Sequence, residues 1–182
     1  MFYNESYIMH SAPYTPNIDL TGLATLAIAF TSIFALWYQA RKQNLSLSAD
    51  LILKLDDRFY KDKEMLLQRK RAAKSILAGK LDNLDEIFDF FELIALLTKK
   101  GALDKEMVWN TFYNPIHYYW EAAGTLIKKI RKETPLIWQD LSGLHDQLVE
   151  IEKEKDDKHG EISLTKEGIR DFFTYESQLK IS

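Results

Sequence analysis

Four histidines, at positions 10, 117, 145 and 159, supply all the imidazoles of the chain. Imidazole suits both proton transfer near neutral pH and transition-metal binding. A two-metal site inside a helical bundle needs Glu-x-x-His on two helices, which points both ligands inward one turn apart. The residues three places before the four histidines are Tyr7, Asn114, Ser142 and Asp156, so that pattern is absent, as is His-Glu-x-x-His. His117 and Glu121, at i and i+4, share a helix face and could supply one ligand pair; an ordinary polar pair is the expectation. His145 borders an apolar stripe and reads as a core-edge histidine without a catalytic partner.

Glycine is equally restrictive. Seven are present, at 22, 79, 101, 124, 143, 160 and 168, and no two are close. Phosphate-cradling loops need clustered glycines so that backbone amides can approach the anion, so the P-loop and the dinucleotide fingerprint are excluded. Cysteine is absent, which removes disulfides, thiolate ligands and a thiol nucleophile. Asp85, Asp89 and Glu92, at i, i+4 and i+7 beside Glu86, could bind a cation or raise one another's pKa. They face away from a Phe-rich stripe, and a solvated helix surface is expected. No catalytic residue, metal or cofactor is assigned, and an enzyme is not expected.

The charge distribution points elsewhere. All 24 Lys and Arg residues stand at Arg41 or later, with 25 of the 27 acidic residues, so this part is nearly neutral and no nucleic-acid partner is expected. The preceding 40 residues carry only Glu5 and Asp19. Between Asp19 and Arg41 lies an uncharged run whose apolar members include Leu20, Leu23, Leu26, Ile28, Phe30, Ile33, Phe34 and Leu36. From Leu20 to Tyr38, a helix rising about 1.5 Å per residue is roughly 28 Å long, close to the ~30 Å hydrocarbon core of a bilayer. Trp37 and Tyr38 suit the interface belt, and Arg41 and Lys42 follow at once. The expectation is a single span over residues 20–40 of an inner (plasma) membrane, after a short extracytoplasmic leader, 1–19. The C-terminal part would be cytoplasmic. Thr21, Thr25 and Ala29 form a small-residue stripe that would let two spans approach, so a homo-oligomer is considered. Arg41 and Lys42 with the basic run Arg69, Lys70, Arg71 and Lys74 are candidates for the membrane surface, each gaining roughly 1 kcal/mol near anionic lipid.

Beyond the span, helix signals dominate, and the fold class is all-α. Residues 41–152 read as a helical domain, 153–163 as a charged linker, and 164–182 as an amphipathic segment. Leu51, Leu55 and Phe59 share one face of a first helix. A second covers Asp62 to Leu77 and closes at Gly79. Asn83 followed by Glu86 suggests a capping box for a third, which carries Phe88, Phe90 and Phe91 and ends before Gly101. Asp104 caps a short helix through Phe112. Asn114-Pro115 then restarts the chain with Pro at the first helical position. Thr134-Pro135 repeats that device ahead of Leu141, Leu144 and Leu148. In the tail, Phe172 and Phe173 are candidates for binding a protein partner.

Several motifs occur together: Arg58-Phe59-Tyr60, Asp89-Phe90-Phe91-Glu92-Leu93-Ile94, Lys99-Lys100-Gly101, Leu103 to Val108, and Tyr118-Tyr119-Trp120. On them the chain, over roughly residues 20 to 150, resembles a widespread bacterial family of single-span proteins with a cytoplasmic helical domain of unknown function. The resemblance implies fold and topology and carries no catalytic residue. The functional expectation is a membrane-tethered, non-enzymatic interaction or signalling module, bound to the bilayer and to a protein partner. An effector acting on the membrane in toxin or phage defence is the alternative, and an enzyme with an unfamiliar site around Glu92 and His117 the third.

Overall fold

The structure, a computed structural model, describes the backbone of residues 20–156 and 166–181, and the side chains of 31–155 and 167–181. Six α-helices and no strand occur among the described residues: α1 (Leu20–Tyr60), α2 (Lys63–Leu77), α3 (Asp85–Lys99), α4 (Lys105–Glu133), α5 (Gln139–Asp156) and α6 (Lys166–Ser177). The chain is all-α. It divides into two compact units, one ending at Arg41 and one beginning at Lys42. The expected leader and the side chains of Leu20, Leu23, Leu26, Ile28 and Phe30 lie outside the described residues. Among those described, no helix is long and apolar enough to cross a membrane.

In the first unit, Ile33, Phe34, Leu36, Trp37 and Tyr38 are all exposed. The Phe34 and Trp37 rings lie 5.9 Å apart, and the Arg41 guanidinium sits 5.6 Å above Trp37. Where separate helices were expected on either side of residues 41–50, α1 is one helix of 41 residues. Those residues hold no Gly or Pro to interrupt it.

The second unit buries one core. Ile52, Leu55 and Phe59 of α1 meet Ile87, Phe88, Phe90, Phe91 and Ile94 of α3. From α4 come Val108, Phe112, Ile116, Tyr119, Ala123 and Ile127, and from α5 Leu141, Leu144 and Leu148. Their three- and four-residue spacing gives each helix one wide apolar face, which packing removes from water. Each fully buried Phe, Ile or Leu contributes roughly 1.5–3 kcal/mol.

Two helix ends follow their sequence signals closely. Gly79 and Gly101 have φ of 69° and 73°, the left-handed conformation that ends a helix. Around them Lys80 donates to Ser75 O, and Ala102 to Leu97 O, closing both final turns. Asp62 and Asp104 cap α2 and α4 through bonds from Met65 N and Met107 N. The Asn83 capping box does not form. Asn83 is itself left-handed (φ 61°), and Leu84, buried in the core, takes the cap position with no side-chain bond.

Pro115 is the larger correction. It does not begin a helix; it lies inside α4, which runs unbroken for 29 residues. A proline there removes one helical hydrogen bond, at a cost of ~3 kcal/mol. The stripe from Val108 to Ile127 crosses it without a change of phase, and burial of that stripe outweighs the loss. Pro135 does not start α5 either. It falls in a turn, Thr134 to Trp138, and α5 begins at Gln139.

The charged segment is also redrawn. Lys153 to Asp156 continue α5, and residues 157–165 lie outside the described backbone. The C-terminal segment is no appendage. Helix α6 packs chiefly against α2 and belongs to the second unit.

Candidate functional site

Trp109, Tyr113, His117 and Glu121 recur every four residues along α4, so they share a face distinct from its core stripe. Helix α5 runs antiparallel across that face. Trp109 Nε1 donates to Glu152 at 2.9 Å, and further along His117 meets His145. The rings form a ladder: Trp109–Tyr113 centroids are 6.3 Å apart, Tyr113–His117 5.2 Å, His117–His145 5.0 Å and His145–Trp120 5.3 Å. Cations close both ends, with Lys155 3.6 Å above Trp109 and Arg131 5.5 Å above Trp120.

At the centre, His117 Nδ1 and His145 Nε2 are 2.7 Å apart, a hydrogen bond in which one imidazole donates to the other. Glu121 completes a group whose ligand atoms all lie within 4.8 Å of one another. His145 is buried and Glu121 is exposed. Among the described residues the second nitrogen of His145, Nδ1, is buried without a hydrogen-bond partner. The nearest carboxylate, that of Asp146, stands 3.6 Å away. The expectation of an isolated His145 is therefore corrected.

Both imidazoles are held neutral. Burial, and then the neighbouring His145, push His117 down to about 4. Burial also lowers His145, against a partial upward pull from Asp146 and Glu121. Between pH ~6.5 and 4 the unfolded chain thus binds protons that the fold refuses. The stabilising contribution is complete above pH ~6.5 and is lost as pH falls through that window. Denaturant midpoints measured in chelator should decline from pH 7 to pH 5, and His117→Gln should flatten the slope. An equally steep slope in the variant would disprove the assignment.

The acidic face of α3 is not a bare solvated surface. Glu92 accepts from the Asp140 and Leu141 amides at 3.2 and 2.6 Å, filling two of the open donors at the start of α5. Asp89 accepts from Trp138 Nε1 at 3.0 Å. Trp138 itself is buried with a left-handed φ of 50°, and Arg131 donates to the Ile137 and Trp138 carbonyls. Glu92 is thus a cap for α5 and stands apart from the His117 group.

The basic run does not survive as a surface patch. Arg69 is buried between α2 and α6, donating to Glu176 at 2.8 and 2.5 Å and to Phe59 O at 2.6 Å. Lys70, half-buried, donates to Leu179 O. Arg71 and Lys74 remain exposed, as do Arg41 and Lys42. The two tail phenylalanines are likewise engaged. Phe173 is fully buried against Tyr119, and Phe172, half-buried, stacks on Tyr118 at 4.5 Å, so neither is a free anchor for a partner.

The missed member of the site was His145. The turn at Thr134–Trp138 does not set position 145 opposite 117 by symmetry; the pairing comes from how α4 and α5 pack.

Neither a curated protein nor a solved structure matches the chain. A domain of unknown function, DUF4760, matches residues 21–148, the stretch that carries the resemblance noted from the sequence. The chain belongs to the DUF4760 family of domains of unknown function.

Proposed function

We propose that the protein is a membrane-tethered, non-enzymatic interaction or signalling module, held at an inner membrane surface by residues 20–38. The observation that carries this reading is an uncharged helical run whose described apolar side chains are exposed. Ile33, Phe34 and Leu36 are 64–66% exposed, whereas the core residues of the second unit are nearly all buried. Lipid is the occupant with matching chemistry. The run is about 28 Å long, and Trp37, Tyr38, Arg41 and Lys42 at its end suit the headgroup region. With no Lys or Arg before the run, positive charge favours a cytoplasmic C-terminal domain. A protein partner would then meet the exposed surface of that domain, away from Phe172 and Phe173.

Alkaline extraction of cell membranes tests the tether. The wild-type chain should stay with the membranes. Ile28→Arg, at a cost of roughly 2.5–3.5 kcal/mol near the bilayer centre, should release it. A wild-type protein recovered monodisperse without detergent would refute the reading, as would a reporter fused after Ser182 that reads outside the cell.

A further inference from the structure

We propose that His117, Glu121 and His145 form a binding site for a divalent transition-metal ion of zinc-like ligand preference. The three donors come from two packed helices: His117 and Glu121 from successive turns of α4, His145 from α5. Two imidazoles and one carboxylate, with no sulfur, form a donor set suited to zinc and other first-row divalent ions over calcium or magnesium. Both imidazoles are buried or half-buried and poised to give a lone pair.

The geometry is close to what coordination needs. Metal–nitrogen bonds of about 2.0–2.1 Å place two cis nitrogens roughly 2.9–3.4 Å apart, for angles between octahedral and tetrahedral. The observed separation is 2.7 Å, set by a hydrogen bond. An ion would take the place of the shared proton, the donating imidazole then carrying its proton on its other ring nitrogen, and open the pair by a few tenths of an ångström. Glu121, exposed, is free to turn its carboxylate inward.

The buried, partnerless Nδ1 of His145 supplies the second observation. When Nε2 binds an ion, the proton of a neutral imidazole must sit on Nδ1. A metal-bound histidine characteristically donates that second N–H to a carboxylate, and Asp146 stands beside this one at 3.6 Å. The metal-free pair leaves the tautomer of His145 open; a bound ion fixes its proton on Nδ1, facing Asp146. Three protein ligands leave coordination positions open. His117 also lines a cavity of about 270 Å³ with Trp109, Tyr113, Asn114, Tyr118 and Glu152, large enough for water or a small ligand.

The test uses the full chain, purified without a histidine tag and stripped with chelator, titrated with Zn²⁺ by calorimetry and with Co²⁺ by visible absorption. One ion per chain is expected, with cobalt bands of a low-coordinate site and a rise in melting temperature. Glu121→Gln and His117→Ala should each weaken binding at least about tenfold, and Asp146→Asn, which removes no ligand, by about tenfold. Glu121 is exposed, so Glu121→Gln keeps the metal-free melting temperature and reports on the site alone. Binding weaker than about 0.1 mM, or undiminished in Glu121→Gln and His117→Ala, overturns the proposal.

Discussion

Glu176→Ala should destabilise the domain by roughly 3–5 kcal/mol, because it strands a guanidinium in the interior. Arg69 is 2% exposed and Glu176 1%, and two of the arginine's donors are spent on that carboxylate. The Tyr119 hydroxyl also reaches Glu176, at 3.4 Å. Burial and the Glu176 charge already raise the ionisation of that phenol, so it stays a neutral donor. A third donor of Arg69 satisfies Phe59 O in the last turn of α1, where helix carbonyls otherwise lack partners. One carboxylate therefore holds α6 to α2 and, through Arg69, steadies the end of α1. A loss of this size is a third or more of the stability of many domains. Chemical denaturation of the full chain in detergent should show it, with faster proteolysis of α6. The paired change Arg69→Met with Glu176→Leu should recover much of the loss, since well-packed apolar residues often replace a buried ion pair without penalty. A Glu176→Ala cost below about 1 kcal/mol, the typical size for an ordinary substitution, would show that the pair does not hold the helices together.

Phe59→Ala should cost a similar amount, roughly 3–5 kcal/mol, for a different reason. Its ring is fully buried, with Phe90 and Phe91 each 5.5 Å away and Phe112 at 6.0 Å. Truncation leaves a cavity where α1, α3 and α4 converge. The melting temperature should fall by roughly 6–20 °C at the usual conversion for a chain of this size. Because the Arg69 guanidinium lies 4.0 Å from the Phe59 ring, the two lesions share a partner. Combining Phe59→Ala with Glu176→Ala should be non-additive by about 0.5–3 kcal/mol. Strict additivity would mean that Arg69 does not couple the aromatic centre to the tail.

These sites differ in how far they were legible beforehand. Phe59, Phe88, Phe91 and Leu141 lie on stripes visible as three- and four-residue spacing, because a helix repeats every 3.6 residues. Gly79, Gly101, Asp62 and Asp104 mark helix ends through chemistry confined to one turn. Pro115 misled for the same reason: locally it signals a start, and only burial of the stripe on both sides of it keeps α4 whole. Arg69 looked like one cation in a basic run, since its neighbours Lys70 and Arg71 gave no hint that a carboxylate 107 residues away would cover it. Phe172 and Phe173 looked like free anchors until α6 met α2 and α4.

By itself, then, the order of residues determined an all-helical chain, most of its core positions, the ends of α2 and α3 and a sharp split between an uncharged run and a charged body. Those properties arise within a turn or two of helix. Tertiary structure alone decided which polar groups meet: Arg69 with Glu176, Glu92 with the start of α5, and His117 with His145 across 28 residues. Burial and pairing of charge belong to two segments in contact, and no single segment records its partner.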